Sequence, residues 1–245
     1  MVDDSAKGCI LGQFRDLSKL HAREEALLAS LEENPQQYAP DALLSEAGKR
    51  SDCFYTVISG WACAERVLAD GSRQVLDLFM PGQILGLREI SFHRNLCDFR
   101  AITEVTACPF PRRHLTDIFD QAPRLADLFF LILAREQSML VERVINIGRR
   151  SAAQRLAHFL VEIAIRTKQT AQSLTLPLTQ SIIGDALSLS SVHVSRTYQN
   201  LRELGLIDTD NGTVHILDLD ALIEFGGFDR AYLETFSDWA RQAPP

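Results

Sequence analysis

In the stretch "LSLSSVHVSRTYQNLRELGLI", Leu187 to Ile207, a single arginine stands among short side chains in the middle of a helical pattern. At helical spacing Val194, Thr197, Tyr198, Leu201 and Leu204 share one side, and Ser191, Val192, Ser195, Arg196 and Gln199 share the other. The first set is a face to bury. The second lacks the Glu and Lys that usually coat a solvated helix. A planar guanidinium at Arg196 can give two parallel hydrogen bonds to O6 and N7 of a guanine. Val192 can meet a thymine methyl, and Ser191, Ser195 and Gln199 can bond to bases or phosphates. Other chemistry is poorly supplied. His93 and His114 stand alone where a cupin-type metalloenzyme needs clustered His and Glu, so no metal and no catalytic residue is expected. Cys9, Cys53, Cys63, Cys97 and Cys108 contain no C-x-x-C pair and read as buried free thiols rather than zinc or iron–sulfur ligands. A redox-sensing Cys97 or Cys108 is the competing reading.

The elements that must hold Arg196 are legible around it. Thr179 is a good N-cap for a first helix whose inner face is Ile183, Ala186 and Leu187, and Gly184 lets another helix approach. Ser188-Leu189-Ser190 fits a tight turn, with Leu189 plugging the angle and Ser190 capping the second helix. This is a helix-turn-helix, whose second helix would lie in the DNA major groove. Thr179, Gln180 and His193 are the candidate phosphate contacts, which position without reading sequence. "LIDTDNGTVHIL" then gives strand, Asn211-Gly212 turn and strand, in the place of a wing. A structural helical hairpin with a merely solvated Arg196 is the alternative.

Charge is unevenly spread. The 245-residue chain carries −7, yet Arg149 to Gly205 holds seven basic and three acidic residues, a surplus of four. A basic module on an acidic body fits local contact with a polyanion. Upstream, residues 13–33 form an amphipathic helical stretch, ended by Pro35 and Pro40. From about 43 to 112, short apolar runs are separated by turn pairs such as Ser59-Gly60 and Asp70-Gly71, which predicts a β jelly roll. Residues 114–147 read as a long helix. It has one stripe through Leu125, Leu128, Ile132, Met139 and Asn146 and another through Phe129, Leu133, Leu140 and Ile147. The apolar part of the first, Leu125, Leu128, Ile132 and Met139, is the expected dimer seam, and a wholly intramolecular helix is the alternative. "DRAYLETFSDWARQ" suggests one more amphipathic helix. The amino terminus has no apolar core like that of a secretory signal, and the densest apolar run is half a membrane span. No membrane partner and a cytoplasmic location are expected.

The expected fold class is therefore α+β: an N-terminal jelly roll, a long dimerisation helix and a C-terminal winged helix-turn-helix. The boundaries are 1–113 for helix and roll, 114–147 for the dimerisation helix, 148–222 for the winged unit and 223–245 for a helical extension.

This order of parts resembles the Crp/Fnr family of bacterial transcription regulators. The match is carried by "ADGSRQVLDLFMPGQILGL", "AITEVTACPFPR" and "LPLTQSIIGDALSLSSVHVSRTYQNLRELGLI", and covers nearly the whole chain. The resemblance implies a homodimer on a two-fold-symmetric operator, with double-stranded DNA, a second copy and RNA polymerase as partners. It also implies an effector pocket around Gly82, Gly86, Leu87, Arg88, Asp98 and Arg100. Three departures qualify it. Leu87 follows Gly86 where members binding cyclic AMP have Glu, and Asp98-Phe99 stands where they have the phosphate-holding Arg-Ser, so cyclic AMP is not expected. An iron–sulfur cluster is not expected either, since Cys9 alone stands where oxygen-sensing members cluster cysteines. In the reading helix the family's Glu and Arg are replaced by Val192 and Ser191, so the half-site should differ there. Ser188 occupies the usual turn glycine; a left-handed residue there would cost on the order of 1 kcal/mol. Two alternatives remain beside the regulator: a metalloenzyme, and a ligand-sensing scaffold without DNA binding.

Overall fold

A computed structural model describes residues 9–50, 52–169, 173–210 and 212–233. These divide into two compact units, one of residues 9–67 and 76–137, the other of 68–75 and 138–233.

The first unit opens with α1 (Cys9–Leu17) and α2 (Ala22–Ala29), extended by a 3-10 turn over Ser30–Glu32. The sequence reads as one helix here, but the chain bends between them. Arg124 reaches in from far along the chain and binds the Glu24 carboxylate, the Ser18 hydroxyl and the Lys19 carbonyl, which fixes the bend. Eight strands follow: β1 (Gln36–Tyr38), β2 (Leu43–Ser45), β3 (Cys53–Ser59), β4 (Ala62–Val67), β5 (Arg73–Phe79), β6 (Ile84–Leu85), β7 (Asp98–Ala101) and β8 (Val105–Pro111). They form two four-stranded sheets, ordered β1-β8-β3-β6 and β2-β7-β4-β5. Small and branched residues such as Ala62, Ala64, Ala101 and Ala107 line the interior with Val57, Phe79, Leu85 and Phe99. This is the jelly roll that the alternating runs predict.

The other face of one sheet, through Phe54, Ile84 and Phe110, packs under helices. The predicted long helix is two helices: α3 (Arg113–Gln121) and α4 (Pro123–Arg149). The break falls at Ala122 because Pro123 cannot donate a backbone hydrogen bond, whereas the first turn of a new helix does not need one. Leu125, Leu128, Phe129 and Ile132 join Phe14, Leu28 and Leu115 in this helical core. The expected seam is thereby corrected. Leu125, Leu128 and Ile132 are 0% exposed and Met139 4% within a single chain, so none can meet a partner. Apolar periodicity marks a face for burial without saying what covers it.

In the second unit, α5 (Ala152–Thr167) starts on a capping box formed by Ser151 and Gln154. Then come β9 (Leu174–Thr175), α6 (Gln180–Leu187), α7 (Ser191–Glu203), β10 (Ile207–Asp210) and β11 (Thr213–Ile216). The three strands form one antiparallel sheet, β10-β11-β9, which is the predicted wing. Of its turn pair, Asn211 lies outside the described residues and Gly212 has φ +83°. Next come α8 (Leu219–Gly226), which straddles the expected boundary at residue 222, and a 3-10 turn over Arg230–Tyr232. The remainder of the helix expected there lies outside the described residues. Among the described residues no helix is long and apolar enough to cross a membrane.

The two sides of α4 give a direct test. Leu128→Ala should cost about 2–5 kcal/mol by urea unfolding, as for a fully buried leucine. Val141→Ala, at a half-exposed position, should cost under ~1 kcal/mol when the chain is held monomeric by dilution.

Candidate nucleic-acid interface

Two capped helices and one strained turn build the site. Thr179 accepts from the amide of Ile182 through its side chain, as its N-cap position predicts. Ile183, Gly184, Ala186 and Leu187 are buried. A β-carbon on Gly184 would collide with the Leu189 carbonyl, so the backbone of the turn rests directly on this glycine. Ser188 takes up φ +54°, the left-handed conformation whose cost the sequence implies. The hairpin tip 68–75 belongs to this unit and steadies the turn. Arg73 pairs with Asp185 at 2.6 Å, the Gln74 amide donates to the Asp185 carbonyl at 2.7 Å, and Ser188 Oγ donates to Gln74 Oε1 at 2.9 Å. These partners lie more than a hundred residues apart, and sequence reading missed them.

Ser190 caps α7 by accepting from the His193 amide at 3.3 Å, and its hydroxyl also meets His193 Nδ1 at 2.9 Å. Val194, Thr197 and Leu201 are buried and Tyr198 half-buried, with Thr197 Oγ1 satisfied by the His193 carbonyl at 2.7 Å. Leu204 departs from the expected inner face: it is 52% exposed, because α7 ends at Glu203 and the chain turns through Gly205. Ser191, Val192, Ser195, Arg196 and Gln199 are all exposed, on one side. Gln199 Nε2 donates to Glu203 at 2.9 Å, which holds its amide along the helix. Arg202, also unforeseen, donates to Thr209 Oγ1 at 2.6 Å and so ties α7 to the wing. Thr179 and Gln180 are exposed at the start of α6, and His193 is exposed in the first turn of α7, where backbone amides favour an anion.

The residues expected to hold an effector are engaged otherwise. Arg88 pairs with Asp77 at 2.9 Å and with Glu136 at 3.5 Å. Arg100 pairs with Glu65, whose side chain is 1% exposed. Asp98 accepts from the Ala47 amide. Leu87 is buried, and Gly82 and Gly86 are turn residues with φ +89° and +95°. A cyclic phosphate would need an uncompensated cation among these six residues, and both of their guanidinium groups already face carboxylates; these residues do not fit it. A cavity of about 480 Å³ does open in the first unit, lined by Arg50, Asp52, Phe92, His93, Arg94 and Arg112. Its lining shares none of the six predicted residues.

Cys97 and Cys108, the two candidate redox thiols, are both buried. Burial pushes Cys108 up to about 11, and burial with a hydrogen bond to Glu89 raises Cys97, so neither is a thiolate at neutral pH. Among the described residues no group of three or more His, Cys, Asp or Glu is placed to hold a metal ion.

Comparison with known proteins agrees with this architecture. Residues 35–122 match the cyclic nucleotide-binding domain family and residues 154–225 the Crp-like helix-turn-helix domain family. The nitrogen fixation regulation protein FixK of Rhizobium meliloti is 33% identical over 186 residues, covering 76% of this chain and 83% of that protein. FixK of Bradyrhizobium diazoefficiens is 31% identical over 168 residues, covering 67% and 70%. The solved structure of FixK2 from Bradyrhizobium japonicum superposes with a TM-score of 0.73 at 23% identity, over 78% of this chain and 96% of that one. These relatives are regulators and not enzymes, which removes the metalloenzyme alternative. With a winged helix-turn-helix behind a jelly roll and relatives of this identity over most of its length, the chain belongs to the Crp/Fnr family of transcription regulators.

Proposed function

We propose that the protein acts as a homodimer on a two-fold-symmetric operator, with Arg196 as its principal base reader. The observation that carries this reading is the exposure of Ser191, Val192, Ser195, Arg196 and Gln199 on one side of a helix capped at its start and tied to the wing. Arg196 gives a bidentate contact to guanine; Val192 and the two serines read or fill around it. Thr179, Gln180 and His193 meet phosphates. Action on DNA goes with a cytoplasmic location, and at a promoter it brings the protein to RNA polymerase.

The dimer seam in this reading is the third face of α4. Phe130, Ala134, Gln137, Val141, Val144 and Gly148 are all exposed, at steps of four and three residues. Phe130 and Val144 are 64% and 66% exposed, large apolar side chains with no cover within one chain. The alternation is that of coiled-coil a and d positions, and Gln137 is the polar residue that fixes register. Two copies joined along this seam would present two α7 helices to half-sites separated by about one turn, roughly 34 Å.

Two measurements follow. Val144→Asp should convert the dimer to monomer in sedimentation velocity at micromolar concentration, and it should abolish a hydroxyl-radical footprint over paired half-sites. Arg196→Ala should cost about 1–3 kcal/mol of discrimination at one base pair per half-site, read by competition among singly substituted duplexes. A variant with unchanged base preference would remove Arg196 from the reading role.

A further inference from the structure

A buried charge cluster lies where α4 hands over to α5, and the regulator reading gives it no task. Glu142 and Arg143 from α4, Arg150 at its end, and His158, Glu162 and Arg166 from α5 gather there, with side chains 2–15% exposed. Arg150 pairs with Glu142 at 2.6 Å, and Glu142 also lies 3.2 Å from His158 Nε2. Glu162 takes Arg166 at 3.0 Å and Arg143 at 3.5 Å. Desolvation holds the His158 pKa below its ordinary value, with Arg150 adding to the effect against Glu162 and Glu142, so the ring is neutral at neutral pH. Buried charges need well-placed partners, because leaving one uncompensated is costly.

The segment after α8 supplies two such partners. The Gly227 carbonyl accepts from Arg150 Nη2 at 2.7 Å, and it stands at the carbonyl end of α8, which carries partial negative charge. The Tyr232 hydroxyl donates to Glu162 Oε2 at 3.0 Å. The rings of Phe228 and Tyr232 lie against the His158 ring, with centroids 4.9 and 6.0 Å away, the latter stacked at 6°. Gly226 makes this approach feasible: a β-carbon there would sit 2.8 Å from the His158 backbone nitrogen. The short segment thus touches charges from both helices at their joint. Arg155 continues the chain of contacts: it takes Asn146 on its carbonyl, and donates to the Arg150 carbonyl and to the Leu187 carbonyl at the end of α6.

We propose that Gly226–Tyr232 is a latch that closes on the α4–α5 joint and fixes the angle at which α5 carries the reading helix. It rests on the DNA-binding reading above, since its consequence is the placement of two heads on one operator. Because the latch consists of two rings, one hydroxyl and one carbonyl, it can be removed without emptying the core.

The test uses the full-length protein and two variants. Tyr232→Phe keeps the ring and removes its donor; Gly226→Ala pushes α8 off His158. The first readout is amide hydrogen exchange across residues 147–155, expected to quicken about tenfold in Tyr232→Phe, as for loss of one charge-assisted hydrogen bond. The second compares binding to a complete inverted repeat with binding to a duplex carrying one half-site. A latch that places heads predicts about a tenfold loss on the repeat and an unchanged half-site affinity. Equal losses on both duplexes, or no loss on either, would overturn it. Wild-type protein that binds neither duplex would instead sink the DNA reading. The latch would then be decided by exchange alone: unchanged rates at the joint overturn it, and faster rates uphold it. Should Gly226→Ala fail to fold, the phenylalanine variant decides both readouts.

Discussion

Helix α7 has no internal reason to hold Arg196 outward; that orientation depends on burying its opposite side. Val194 and Leu201 are fully buried, and Thr197, the polar member of the face, is satisfied by the carbonyl one turn back. A rotation of the helix by one position would expose these residues and bury an arginine without a partner, a change costing several kcal/mol. The packed side thus acts as a fixed bearing for the polar one. Caps at Thr179 and Ser190, the glycine contact at Gly184 and the strained Ser188 define where that bearing sits. Strain of about 1 kcal/mol at Ser188 is tolerated because the hairpin tip holds the turn from outside.

The same division of labour runs along α4. The stripe through Leu125, Leu128, Ile132 and Met139 is buried by its own chain, and a third face is left with Phe130, Val141 and Val144 uncovered. A row of large exposed apolar side chains marks a surface to be covered. A second copy supplies that cover in the proposed dimer, and the seam then sets the distance between the reading heads. At its far end the helix passes into a joint held by paired charges rather than by apolar packing. Ion pairs demand specific geometry, whereas apolar contacts tolerate sliding. A joint made this way defines an angle.

Local features were legible in the sequence to the extent that their physics is local. Helix caps, the apolar face of α7, the turn pairs of the roll and the wing depend on residues a few positions apart, and they stand where their spacing indicates. Contacts between distant residues were not. The bend after α1 is made by Arg124, the turn before α7 by Arg73 and Gln74, and the joint by Tyr232 meeting Glu162. The dimer seam illustrates the limit most sharply. Three apolar faces of α4 obey the same period, and only the packed chain shows that Leu125, Leu128, Ile132 and Met139 are already covered. The residues that the family resemblance marks for an effector show the same limit: Arg88 and Arg100 are engaged by Asp77 and Glu65, partners that no motif specifies.

The claim on which everything else rests is that the exposed side of α7 reads base sequence. Selection from a randomised duplex pool by purified protein, at two salt concentrations, tests it most directly. An inverted repeat should be enriched, with affinity falling steeply as salt rises because phosphate contacts release counterions. Failure to retain any duplex at low salt would contradict the account.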